Sequence, residues 1–134
     1  MPLTADDRTT ITDLINLHGH LTDRGDFDGL SALFADDVTY DVTALGGTVM
    51  TGLSTIKQAS LAMDETAHPV AHHVTNVVLR ETAEGVVHAL SKGFGVMVDG
   101  SVGSVTYEDT VERGRAGWRI TRRIVRPRRR PLHP

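Results

Sequence analysis

Apolar residues recur at helical spacing near the start of the chain and at strand spacing over most of the remainder. Ile11, Leu14, Ile15, His18 and Leu21 fall on one stripe of a helix. Thr4 and Asp7 stand in the spacing of an N-cap and its reciprocal partner. Together they predict a first helix over residues 5–24, ended by Gly25. Asp26 is placed to cap a second, short helix over 27–34, with Leu30, Leu33 and Phe34 inward. An acidic turn at 35–37 leads into a strand over 38–43, where Val38, Tyr40 and Val42 share one face. Gly46-Gly47 breaks that strand, a short piece follows at 48–51, and a third helix is expected over 53–63. The rest reads as four strands, at 70–82, 86–98, 102–113 and 118–126, separated by turns at 83–85, 99–100 and 114–117. Helices first and a long meander afterwards is the α+β pattern, with helices packed on one face of a strongly curved antiparallel sheet.

Length and composition narrow the class. At 134 residues, 40% hydrophobic and 23% charged, the chain reads as one globular domain. It has no cysteine, which removes disulfides, thiolate metal sites and a cysteine nucleophile. The polar, acidic start has no apolar signal region, and no apolar run approaches the roughly 20 residues a membrane helix needs. A cytoplasmic protein is the expectation. The net charge of −3 hides an asymmetry, because Arg119, Arg122, Arg123, Arg126, Arg128, Arg129 and Arg130 supply half of the 14 basic residues. This divides the chain into a domain over 1–126 and a basic Arg/Pro tail over 127–134. The tail is short, broken by proline and without aromatic residues that could stack on bases, so no nucleic-acid or membrane partner is expected. It is expected to be solvated or to fold back on the acidic body.

Several proton-carrying side chains interrupt faces that should be core. His18 belongs to the apolar stripe of the first helix, whereas His20 points away from it. Asp23 is an acid near the negative end of a helix dipole, a mildly unfavourable place that suggests another role. Such a role would be to accept the second ring N–H of a histidine, as triad carboxylates do. On the strand at 70–82, His72, Val74 and Asn76 share one face and His73 and Thr75 the other. His72 is taken as the inward one of the pair. Asn76 beside an apolar core needs partners, and a ligand or His72 would supply them. Tyr40, if inward, either lines a pocket or meets a buried carbonyl. Adjacent histidines on a strand point opposite ways, which does not suit a metal centre. No serine-hydrolase, phosphate-loop or dinucleotide-binding motif is present, so no cofactor is expected.

The stretches His18-x4-Asp23-Arg-Gly-Asp26-Phe-Asp28-Gly-Leu, Leu33-Phe34-Ala-Asp-Asp37-Val-Thr-Tyr40, His72-His73-Val-Thr-Asn76 and Gly-x-Trp118-Arg-Ile carry a resemblance. It covers about residues 5–126. The order of elements with these residues resembles the SnoaL-like branch of the nuclear-transport-factor-two-like superfamily. That superfamily includes ketosteroid isomerase, scytalone dehydratase, limonene epoxide hydrolase and polyketide cyclases. The resemblance implies a cone-shaped α+β barrel with a pocket between the sheet and the first helix. It places His18 where relatives carry an oxyanion-binding tyrosine, Asp23 where dehydratase-like members carry an aspartate, and their catalytic histidine on His72 or His73. The isomerase's general base falls on Val42, with Asp41 on the opposite face, and the Arg–Asp pair of the epoxide hydrolase has no inward counterpart over 86–98.

The expected function is therefore a cofactor-independent dehydratase, cyclase or isomerase acting on a small apolar polyketide-, terpenoid- or steroid-like compound. His18, Asp23 and His72 are the candidate catalytic residues, with Tyr40 and Asn76 touching substrate. The rival is a non-catalytic small-molecule-binding or dimerisation domain on the same scaffold. A homodimer through the sheet face is expected by analogy, with Val77, Leu79 or Val96 outward.

Overall fold

A computed structural model describes residues 2–134. The first helix, α1, runs Ala5–Asp23. Its start is a capping box: the Asp7 N–H donates to Thr4 Oγ1 at 3.0 Å and the Thr4 N–H donates to the Asp7 carboxylate at 3.1 Å. The same Asp7 carboxylate also accepts from Trp118 Nε1 and the Arg113 guanidinium, which ties the helix start to the far end of the sheet. The predicted stripe is buried, Ile11 and Ile15 completely. Burial on that scale stabilises by about 1.5–3 kcal/mol per aliphatic side chain.

The expected second helix is only a 3-10 turn, Asp28–Ala32. Its backbone bonds run three residues back, Leu30 N–H to the Phe27 carbonyl and Leu33 N–H to the Leu30 carbonyl. Asp26 still caps it by accepting the Gly29 N–H. Leu30, Leu33 and Phe34 are buried as expected, but Phe34 already opens the first strand, β1, Phe34–Asp41. A 3-10 turn at Thr43–Leu45 leads to the short β2, Val49–Thr51, and then to α2, Leu53–Ala62. Four long strands follow: β3 (Ala71–Ala83), β4 (Val86–Val96), β5 (Val102–Gly114) and β6 (Gly117–Pro127).

These strands form one six-stranded sheet in the order β2-β1-β6-β5-β4-β3. It is curled but not closed, and α1 lies against its concave side, touching both β3 and β6. The sheet is mixed. Four neighbouring pairs are antiparallel, as the meander demands, whereas β1 runs parallel to β6. The whole meander separates those two strands in sequence, so the long crossover that a parallel pair needs is already present.

Two irregularities decide which side chains face inward. In β3 the register shifts between Thr75 and Val78, so Asn76 and Val77 together oppose Ser91. Asn76 sits in this bulge with a φ of 56°, a left-handed conformation that asparagine tolerates better than most residues. Strand parity is inverted beyond it: Val77 and Leu79 pack against the core while Val78 is exposed. The expectation that Val77 or Leu79 would face outward is thereby corrected. In β6 the pairing slips between Ile120 and Arg122. Thr121 is the extra residue, and inward parity passes from Ile120 to Arg123 and Val125.

Candidate active site

Glycine 19 lets the first helix meet the third strand. A Cβ there would lie 2.7 Å from the His72 carbonyl oxygen, so only glycine allows this approach. The contact brings the end of α1 onto the start of β3. Asp23 Oδ1 lies 2.6 Å from His72 Nδ1, and the same carboxylate accepts the His72 backbone N–H at 3.0 and 3.1 Å. An ionised carboxylate can only accept, so the neutral imidazole carries its proton on Nδ1 and leaves Nε2 as a base. The main-chain bond fixes the carboxylate as well as the ring.

His72 lines a cavity of about 620 Å³ enclosed between α1 and the sheet. That volume lies within the range of small-molecule sites. His18 lies deeper. It is buried, its ring is 6.0 Å from that of His72, 5.8 Å from Phe34 and 6.5 Å from Tyr107, and its Nδ1 has no hydrogen-bond partner. Burial, then the Arg123 cation and His72, holds its pKa well below the ordinary histidine value. His18 is therefore a neutral ring at physiological pH.

Tyr40 and Tyr107 line the same cavity. Burial raises the Tyr40 pKa against the opposing pull of Arg123. Burial and the neighbouring Tyr40 push Tyr107 up to about 12. Both stay protonated and keep an O–H able to donate. Tyr107 lies across Gly93, where a Cβ would come within 2.3 Å of its ring. Behind them Arg123 donates to Asp109 through Nε at 2.7 Å and Nη2 at 2.9 Å, both residues being fully buried. The Arg123 guanidinium stacks 4.3 Å from the Tyr107 ring and 5.5 Å from Phe34. Burial acts to lower the Arg123 pKa, but the charge and hydrogen bonds of Asp109 outweigh it and the pKa is raised.

The sequence-based candidates separate as follows. His18, His72 and Tyr40 line the cavity. Asp23 stands behind His72, in the wall of an adjacent groove that shares Pro69 with the cavity. Asn76 is placed elsewhere: it is exposed in the β3 bulge and does not line the cavity. His73 is on the outer face, stacked 4.8 Å over Phe94. Asp41 caps the turn after β1 by accepting the Thr43 N–H and hydroxyl. Among the described residues no cluster of three metal-ligating side chains occurs, and no helix is long and apolar enough to cross a membrane.

Tyr107 was not singled out among the strand residues that could line the cavity, and Asp109 and Arg123 were missed. The signal for the first two was their parity with Val111, which alternates Tyr-x-Asp-x-Val at core spacing. Arg123 had no such signal, because the Thr121 bulge breaks its parity with Ile120 and six other arginines surround it.

The fold and this site define a SnoaL-like domain, and the chain belongs to that family, whose profile matches residues 3–124. Solved structures agree. An NTF2-like protein with a cystatin-like fold from Novosphingobium aromaticivorans is 27% identical, with 91% of this chain and 82% of that one covered at a TM-score of 0.76. A cystatin-like-fold protein from Nostoc punctiforme is 21% identical, covering 100% and 98% at 0.80. A hexachlorocyclohexane dehydrochlorinase, LinA-type3 from Novosphingobium barchaimii, is 18% identical, covering 92% and 88% at 0.77. The last two share the fold alone. No curated protein matches the chain in sequence.

Proposed function

We propose that the protein is a cofactor-independent lyase or isomerase whose base is His72, acting on an apolar ring compound that carries a carbonyl or hydroxyl group. The observation that carries this reading is the Asp23–His72 pair at the cavity wall, with Asp23 hydrogen-bonded to both ring and backbone. A histidine held in one tautomer and turned towards a largely apolar cavity is arranged for proton transfer. In the elimination of water from a β-hydroxy ketone, Nε2 takes the proton from the carbon between the two oxygenated carbons. The electron pair forms the carbon–carbon double bond as the C–OH bond breaks, and the same imidazolium returns its proton to the departing hydroxide. Tyr40 and Tyr107 donate to the carbonyl oxygen while it bears enolate charge; the Arg123–Asp109 pair backs the Tyr107 ring and Phe34 backs that of Tyr40. Isomerisation needs only the first half of this sequence, with the proton returned to carbon.

The same fold hosts an elimination in the dehydrochlorinase, but the proposal rests on this chain's own dyad. The test is the ultraviolet absorbance of conjugated enone formed from apolar β-hydroxy ketones such as 4-hydroxy-2-decalone. His72→Ala is expected to lower the rate by roughly 10²–10⁴-fold with the fold unchanged. Equal rates in the parent and the variant across the set would leave a ligand-binding domain as the better reading.

A further inference from the structure

The cavity is not electrically neutral along its length. Its inner part is lined by His18, His72, Tyr40 and Tyr107, and its middle is walled by apolar groups such as Met97, Val105 and Val125. Its mouth is lined by Arg128 and Arg129, and no aspartate or glutamate lines the cavity at all. That is unexpected in a chain with more acidic than basic residues. Other C-terminal arginines are matched: Arg123 pairs with Asp109 and Arg126 with Glu108. Arg128 instead donates to the neutral carbonyl of His133. Among the described residues no carboxylate stands within ion-pair distance of Arg128 or Arg129. The segment is held at this place by the Arg128 N–H, which donates to the Ser104 carbonyl at 2.8 Å.

We propose that the cavity takes amphipathic anions: an apolar ring system in the interior with one negatively charged group, such as a carboxylate, held at the mouth by Arg128 and Arg129. Uncompensated charge of one sign at the rim of an apolar cavity selects ligands of the opposite sign and steers their approach. Guanidinium groups suit a planar oxyanion, which they can grip with two parallel N–H bonds. This deepens the reading of the cavity as the substrate site, and it turns the expected apolar substrate into one with a charged end.

The experiment compares two fluorescent probes with similar apolar bodies, anionic 8-anilinonaphthalene-1-sulfonate and neutral N-phenyl-1-naphthylamine, titrated into the full chain. The parent is expected to bind the anionic probe more tightly, with the difference shrinking as salt rises. Arg128→Ala with Arg129→Ala should weaken the anionic probe by about tenfold and the neutral one hardly at all, whereas lysine at both positions should keep the preference. Gly103 lines the mouth and has open space where a Cβ would stand, so Gly103→Trp can fill the entrance and should abolish binding of both probes. Equal affinity of the two probes in the parent would overturn the proposal. So would equal weakening of both by the double alanine variant, or anionic binding that survives Gly103→Trp. His72→Ala should leave the anion preference intact, so failure of the proposed chemistry and failure of this inference give different results.

Discussion

Two acid–base pairs of nearly the same length lie within this small domain. Asp23 and His72 meet at 2.6 Å, with side chains 25% and 18% exposed; Asp109 and Arg123 meet at 2.7 Å, with both side chains fully buried. The first pair is open to solvent and, through His72, to the cavity. The second has no route to either, and its cation cannot deprotonate at any relevant pH. Distance alone therefore does not mark a catalytic pair. What separates them is the chemistry of the partner base and the presence of a cavity on its far side.

The comparison can be broken most severely at the buried pair. Arg123→Met leaves Asp109 buried and unpaired, and should cost about 3–5 kcal/mol in urea denaturation. Adding Asp109→Leu should recover much of that loss, because two apolar side chains no longer need one another's charge. Asp23→Asn, at the partly exposed pair, should leave the denaturation midpoint close to the parent's. If Asp23→Asn proved as destabilising as Arg123→Met, the two pairs would have the same structural role and the distinction would fail.

A smaller effect is expected at Gly19, where the backbone of β3 occupies the space a methyl group would need. Gly19→Ala should force the helix and strand apart at a cost of about 1–3 kcal/mol, measured by thermal unfolding. It should also lengthen the Asp23–His72 contact and reduce turnover, whereas Gly103→Ala, facing open space, should change neither.

The gentlest effect is a pH slope. His18 has its folded-state pKa depressed by burial, so the unfolded chain binds a proton more readily than the folded one. Its contribution is in place above the ordinary histidine value of about 6.5 and is lost as the pH falls below it, towards the folded pKa. Stability should decline through that acid window in the parent, and less steeply in His18→Phe. An unchanged slope in the variant would mean that His18 is not the buried neutral ring described here.

How much of this was legible in the sequence follows from periodicity. The helix stripe ending at His18, the capping box at Thr4 and the four long strands are patterns that one chain segment declares by itself. His18, Asp23 and His72 could be placed near one another because each lies in such a segment before any irregularity. Asn76 was misplaced because a single left-handed residue reverses the two-residue alternation on which its assignment rested, and Val77 and Leu79 were misplaced with it. Arg123 was hidden in the same way by the bulge at Thr121. The parallel pairing of β1 with β6 joins residues more than 80 apart, for which no local signal exists.

The most direct test of the account is the tautomer of His72, read from the ¹⁵N chemical shifts of its ring in labelled protein. In the parent the neutral ring should carry its proton on Nδ1, hydrogen-bonded to Asp23, with Nε2 unprotonated. In Asp23→Asn the amide can no longer serve as a purely accepting partner, so the Nε2–H form should become populated and turnover should fall with ligand affinity little changed. A parent ring protonated on Nε2, or the same tautomer ratio in both proteins, would contradict the claim that Asp23 sets His72 as the base facing the cavity.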